Sequence, residues 1–415
     1  VRRAPTGLGF ALLIGTLLSA CVQASRPALP PNQADSQPVF TPVPYAQLPG
    51  WAADNPAQAL APFIAGCARM SEARLAGEAK LGGSGLAEQR GGSAAQWQGV
   101  CDKARTIRLN DEAAARAFFE TSLQPYAVSV GAPSATLTTT TTPDPATGLF
   151  TGYYEPEING ARAPGGPAKA VLLQRPADLV AVEPGTFDGE NKSLRVARRL
   201  PDGTLLPYYT RAEIDAGALT GKRLELIWII DPIDAFFLHI QGAGRIRLPD
   251  GKMARVAYAA QNGRLYVPIG RVLVERGEMA LDAVSMQSIR LWLRSHPAQA
   301  SELMDQNPSY VFFREIVGVK PGEGPPGTLN VPLTPGRSLA VDRSVIPLGA
   351  PIWLDTTDPL DNSRLQRLML AQDTGGAIRG AVRADIFWGW GAEAEDRAGR
   401  MRSQGRYFVL LPKAL

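Results

Sequence analysis

Proline and glycine interrupt this chain every few residues, and no other feature limits its possible folds as much. Between 338 and 411 the apolar stretches 338–342, 351–355, 367–372, 384–387 and 407–411 are split by Pro and Gly, a pattern of short strands and turns rather than of a helix bundle. The 42 Gly and 35 Pro in 415 residues extend this reading to the whole chain. Hydrophobic residues at 45% and charged residues at 20% are ordinary for a folded globular protein, so disorder and coiled coil are excluded for most of the length. The length suits two or three domains.

Helical spacing is confined to a few places. Residues 55–70 and 110–123 open with polar caps and carry Ala, Leu and Phe at helical intervals, and 269–276 and 282–296 also read as helices. Residues 81–93 are a Gly-rich loop. Strands are expected at 135–142, 149–158, 170–173, 224–230 and 235–241, the last placing His239 between Leu238 and Ile240.

The N-terminus reads as targeting. Arg2 and Arg3 precede an apolar run at 7–18, shorter than the roughly 20 residues a spanning helix needs. Leu18-Ser19-Ala20-Cys21 follows and resembles the lipobox of bacterial lipoproteins, in which the cysteine becomes the lipidated first residue. Val22 after it, by the same resemblance, favours the outer membrane. Residues 1–20 are thus a signal peptide and 21–44 a lipidated cysteine with a Pro-rich tether, extended like polyproline II. With Cys21 lipidated, Cys67 and Cys101 remain in an oxidising compartment. They are expected to form a disulfide worth about 3–4 kcal/mol on the chain-entropy estimate, the alternative being two separately buried thiols.

Few chemistries are open to such a chain. With only two histidines, His239 and His296, there is no His-rich metal site. Three cysteines exclude zinc ribbons and iron–sulfur clusters built from this chain alone. The net charge of +4 comes without the Lys/Arg runs of nucleic-acid tails. The pairs Glu155/Glu157 and Asp231/Asp234 lack the ligand density of a calcium loop. No metal, cofactor or nucleic acid is expected, and hydrolytic chemistry would rest on carboxylates.

Seven stretches carry a family likeness: LPGW at 48–51, FTGYYEP at 150–156, DPIDAFFLHIQGAGR at 231–245, NPSYVFF at 307–313, AVDRSVIPLG at 340–349, DTGGAIRG at 373–380 and DIFWG at 385–389. Together they resemble the membrane-bound lytic murein transglycosylase A family, bacterial murein-cleaving lipoproteins. The last three look like its three-aspartate domain, with Asp342, Asp373 and Asp385 in the aspartate positions. Trp388 departs from the family pattern, standing where a more polar residue is expected. The resemblance implies a mainly β fold with flanking helices: a double-psi β-barrel catalytic domain from 45–152 plus 326–415, interrupted by an inserted β-rich domain at 153–325. A glycan groove would run between the two.

It also implies an activity, cleavage of the β-1,4 bond between N-acetylmuramic acid and N-acetylglucosamine with formation of a 1,6-anhydro end. One carboxyl suffices for this, because the nucleophile is the C6 hydroxyl of the same sugar and intramolecular attack has a high effective molarity. By resemblance Asp385 is that acid and base. The apolar residues after it favour its neutral form, as would a charged Asp373, while Arg379 or Arg383 would favour the carboxylate. Tyr153, Tyr154, Gln241, Gly242, Trp388 and Asp342 are the candidate groove residues. Aromatic faces suit sugar rings, although Asp342, beside Arg343 and a Pro347 turn, also suits a structural role. His239 is expected to be a hydrogen-bonded structural residue. Peptidoglycan strands are the implied partner, the outer membrane facing the periplasm the implied location, and there is room for other wall-remodelling proteins. The competing readings are an inverting peptidoglycan hydrolase with Asp373 as base and a non-catalytic polysaccharide-binding wall protein.

Overall fold

A computed structural model describes residues 38–75, 91–131, 144 and 146–413. The expected signal peptide, Cys21 and most of the tether lie outside the described residues, as do the strand at 135–142 and all but the end of the Gly-rich loop.

In chain order the regular elements begin with β1 (Pro38–Pro42), α1 (Ala57–Leu75), α2 (Ala94–Arg105), α3 (Glu112–Ser122) and β2 (Leu123–Val130). Eight strands follow with two helices among them: β3 (Gly148–Glu155), β4 (Glu157–Ala161), β5 (Ala170–Leu173), β6 (Leu179–Ala181), β7 (Val196–Arg199), β8 (Leu205–Pro207), α4 (Arg211–Asp215), β9 (Glu225–Ile229) and, after α5 (Pro232–Gln241), β10 (Ala243–Arg247). Next come β11 (Met253–Gln261), α6 (Ile269–Glu275), α7 (Met286–Ser295), α8 (Pro297–Asp305) and β12 (Val311–Glu315). The C-terminal part holds β13 (Ser338–Val341), β14 (Pro351–Thr357), β15 (Arg364–Asp373), β16 (Arg383–Trp390), α9 (Gly391–Arg400) and β17 (Arg402–Pro412).

The strand pairings are nested. One sheet runs β1-β2-β17-β14-β15-β13-β16-β3, and β17 also pairs with β3, so β3, β16, β13, β15, β14 and β17 close on themselves as a ring. A second sheet, β12-β11-β10-β4-β9-β5, and a small third, β6-β7-β8, come wholly from the segment between β3 and β13. The chain leaves the ring at Pro156 and returns to it before Ser338.

Local sequence explains most boundaries. Ser93 and Gln96 form a capping box at the start of α2, and the Asp111 carboxylate accepts the Ala114 N–H at the start of α3. These helices and α1 cover one side of the ring, burying Leu60, Phe63, Trp97 and Phe119 against a core that includes Trp353, Leu370 and Tyr407. Cys67 of α1 and Cys101 of α2 are joined by a disulfide with Cα atoms 5.7 Å apart.

Two segments differ from expectation. Residues 235–241 form part of helix α5, not a strand, so His239 is helical. The Asp231 side chain caps α5, Pro232 occupies its first turn, and Gly242 ends it at φ 79°. The run looked strand-like because both sides of this helix are buried, which erases its amphipathic period. The end of the tether is also different: β1 pairs antiparallel with β2. Its two prolines are tolerated because it is the outermost strand of its sheet.

Candidate active site

Strand β13 positions two carboxyl groups at once. It pairs with β15 in parallel and with β16 antiparallel, and Ala340 is the Cα partner of Asp373 on one side and of Asp385 on the other. The two aspartates therefore stand two strand spacings apart, about 10 Å between Cα atoms. On the far side of β16 lies β3, where Thr151 is opposite Asp385 and Tyr153 opposite Phe387. Alternation then puts Thr151, Tyr153, Arg383, Asp385 and Phe387 on one face of this strand pair.

The carboxyl groups are bonded very differently. Asp373 Oδ1 accepts the Thr328 N–H and hydroxyl, each at 2.9 Å, and Oδ2 accepts the Tyr153 hydroxyl at 3.0 Å. Burial pushes the Asp373 carboxyl up from its ordinary range against those donors. Gly327 lets the Thr328 loop come this close, since a Cβ there would lie 2.6 Å from the Gln372 carbonyl oxygen. Asp385 accepts from Thr151 Oγ1 and from Arg383 Nη1, both on Oδ1. Oδ2 of Asp385 carries no hydrogen bond among the described residues.

Two phenols border the pair. Burial first, and then the Asp373 and Asp385 carboxylates, hold the Tyr153 hydroxyl well above its usual range, so it stays a donor. Tyr266, in the segment between β11 and α6, is pushed up to about 12, mainly by burial and further by the charge of Asp385. The insert also reaches the loop after Asp373, where a Cβ on Gly376 would lie 3.7 Å from Gln261 Oε1. The site thus lies where the ring meets the second sheet.

Other sequence candidates fall elsewhere. Asp342 is buried and engaged within its turn, accepting the Ser344 N–H and hydroxyl on Oδ1 and the Gly380 N–H on Oδ2. It anchors the loop leading to Asp385, with both its oxygens engaged by the protein. Tyr154 and Trp388 lie on the face opposite Asp385, packed around Ala394 and Ala398 of α9. Tyr154 is buried there and Trp388 is partly buried, with Arg397 5.1 Å over the Trp388 ring. Gln241 Oε1 accepts the Tyr154 N–H at 3.0 Å, bracing the end of α5 against β3, and a Cβ on the neighbouring Gly242 would meet open space. Of the two arginines near the aspartates in sequence, Arg383 pairs with Asp385 and Arg379 reaches Asp342 at 4.0 Å. Thr151, Thr328 and Tyr266 were not singled out from sequence. The register of β3 against β16 could have indicated Thr151, whereas Thr328 and Tyr266 arrive through irregular segments with no local pattern.

Residues 149–314 match the family described as the MltA specific insert domain, and residues 337–411 match the 3D domain. A crystal structure of membrane-bound lytic murein transglycosylase from Agrobacterium tumefaciens superposes with a TM-score of 0.74 at 34% identity, covering 90% of this chain and 97% of that one. The chain belongs to the MltA family. MltA from Neisseria gonorrhoeae, in a monoclinic crystal form, gives a TM-score of 0.70 at 33% identity over 93% of this chain and 97% of that one. MltA from Escherichia coli with bound chitohexaose gives 0.61 at 28% identity over 92% and 98%. In sequence, membrane-bound lytic murein transglycosylase A of Escherichia coli (strain K12) is 37% identical over 270 residues, 63% of this chain and 65% of that protein. The aligned part is thus just under two thirds of that relative. The fold is MltA-like, mainly β with an inserted domain. Among the described residues no group of three or more His, Cys, Asp or Glu could hold a metal ion. Glu155 pairs with Arg245 and Arg255, and Asp231 and Asp234 with Arg294 and Arg290.

Proposed function

We propose that this protein is a peptidoglycan lytic transglycosylase in which Asp385 is acid and then base. The observation that carries this reading is the division of labour between the two aspartates. Both oxygens of Asp373 accept hydrogen bonds from the protein, while Oδ2 of Asp385 is left for a substrate. The proton on Oδ2 passes to the glycosidic O4 as the C1–O4 bond breaks. The C6 hydroxyl of the same N-acetylmuramic acid then attacks C1, its proton returns to Oδ2, and a 1,6-anhydro end forms with Asp385 regenerated. A well-oriented internal hydroxyl has an effective molarity of about 10⁵–10⁸ M, so no second base is required. The donors on Asp373 suit it to hold negative charge beside the developing oxocarbenium ion. An inverting hydrolase would need Asp373 to activate water, and the donors that both its oxygens already accept make it a weaker base for that task.

The closed ring of strands supports a double-psi β-barrel for residues 45–152 with 326–415, and the second sheet supports a substrate-groove domain at 153–325. The chitohexaose of the E. coli relative supports a β-1,4-linked glycan in that groove, Tyr153 being the groove aromatic on the Asp385 face. Cys21 and the leader before it support an outer-membrane lipoprotein facing the periplasm, acting on peptidoglycan strands. A Cys21→Ser protein is expected to leave the membrane fraction, and unchanged partition would count against the anchor.

The deciding experiment is digestion of purified murein sacculi with the sugar ends identified by mass. Wild type should give anhydro ends. Asp385→Asn, which keeps shape but cannot deliver a carboxyl proton, should lose at least about 10²–10⁴-fold in rate, and Asp373→Asn should lose less. Reducing ends would establish the hydrolase instead. A near wild-type Asp385→Asn beside a folded but dead Asp373→Asn would reverse the assignment.

A further inference from the structure

Arg383 has no role in the chemistry above, yet its guanidinium forms an ion pair with the reacting carboxyl. It stands two residues before Asp385 on β16, on the same face, and its side chain is 15% exposed against 19% for Asp385. Nη1 donates to Asp385 Oδ1 and at 2.7 Å to the Ala384 carbonyl, while Nη2 donates at 2.9 Å to Thr151 Oγ1. Thr151 in turn donates to the same Oδ1. The three groups form a closed triangle on one oxygen.

We infer that Arg383 is the positioning residue of this site: with Thr151 it fixes Oδ1 so that Oδ2 alone meets substrate, and its charge favours the carboxylate that must receive the C6 hydroxyl proton. This rests on the transglycosylase reading. A lone carboxyl that serves twice needs both forms within reach, because the acid is needed when C1–O4 breaks and the base when the C6 oxygen bonds C1. Apolar Phe387, on the same face as Asp385, favours the acid form, and a guanidinium on Oδ1 favours the base form. The planar fork also prevents the carboxyl from turning over, which would bring the bonded oxygen to the substrate.

The charged and titratable groups facing Asp385 are few among the described residues: Arg383 on its own strand, Tyr153 on β3, Asp373 at the end of β15 and Tyr266 on the segment after β11. Both phenols are held neutral, so among the described residues Arg383 is the charge that forms an ion pair with Asp385.

The test compares kcat/KM against pH on a soluble muropeptide chain for Arg383→Met and Arg383→Lys. Removing the positive charge in Arg383→Met should move the basic limb, where the acid form is lost, upward by about one pH unit or more. Its turnover on the acid side should fall at least tenfold, with KM little changed. Arg383→Lys keeps the charge but not the fork, so its limb should stay in place while kcat falls. A merely structural role would lower the folded fraction without moving the limb. A folded Arg383→Met with wild-type limb and kcat overturns the inference. If that variant does not fold, Arg383→Lys with wild-type kcat overturns it equally. Asp385→Asn is measured alongside: if it still releases anhydro ends, the function itself fails; if it is dead and the limb does not move, only the role of Arg383 fails.

Discussion

Burial fixes the charge of His239. Its ring is 7% exposed on α5, Nδ1 accepts the Val311 N–H at 3.2 Å, and Tyr310 and Phe313 pack edge-on against it. Desolvation, with help from Arg211, holds its pKa well below the ordinary 6.5, so the folded protein keeps a neutral imidazole. The unfolded chain takes up a proton below about pH 6.5 and the folded one does not, so stability is lost as pH falls through that value. The slope approaches about 1.4 kcal/mol per pH unit. Urea unfolding of wild type and His239→Gln at pH 7.5, 6.0 and 5.0 should show the wild type losing that extra stability, and parallel losses in both would refute it. A structural histidine was legible in the sequence; its helix was not. For Tyr153 and Tyr154 the sequence held more than composition suggests. Period two separates the residue that shares a face with Asp385 from the one that packs on α9, once the register of β3 is known. The ring pairing that sets this register joins strands more than two hundred residues apart, and no local pattern encodes it.

At the scale of elements, the punctuated C-terminal part was the most readable. The stretches 338–342, 351–355, 367–372, 384–387 and 407–411 all coincide with strands, each extended by the pairing partners it finds. A helix with both a cap and a period, such as α3, announces itself; α2, despite its Ser93 capping box, was not expected from the sequence, and neither was α9. It begins without a side-chain cap and is strongly polar, buried only through Ala394 and Ala398. Its helicity depends on packing beside β3 and β16, which is tertiary information. The failure at 235–241 has the opposite origin, since its start and stop signals were present at Asp231-Pro232 and Gly242 but an all-apolar run has no period to weigh against them. At the site, the loops carrying Thr328 and Tyr266 join the aspartates only through the closed arrangement of strands. Resemblance therefore indicated the carboxyls, and geometry alone indicated Thr151, Thr328 and Tyr266 beside them.

For the molecule as a whole, both crossings between the ring and the inserted sheet meet at one buried cluster. Glu155 ends β3 where the chain leaves the ring, and its fully buried carboxylate accepts from Arg245 Nε at 2.9 Å and from Arg255 Nε and Nη2 at 2.9 and 2.7 Å. The same arginines hold the returning chain: Arg245 donates to the Pro321 carbonyl and Arg255 to the Glu323 carbonyl. Arg245 also lies 3.9 Å over the ring of Trp390, the last residue of β16. Two cations share one anion, and among the described residues Glu155 is the one acidic group in ion-pair contact with them. Glu155→Gln leaves two buried guanidinium groups without a counter-charge, and breaking a buried pair in this way costs about 3–5 kcal/mol. The loss should appear as a lowered denaturation midpoint. Because the cluster joins the two sheets, the variant should also unfold in two resolved steps where the wild type unfolds in one. If the pair merely tolerates burial, Glu155→Gln/Arg255→Met/Arg245→Met, which removes all three charges, should recover most of the midpoint while keeping the two steps. Recovery of single-step unfolding in that triple variant would mean that packing, not this cluster, couples the halves of the molecule.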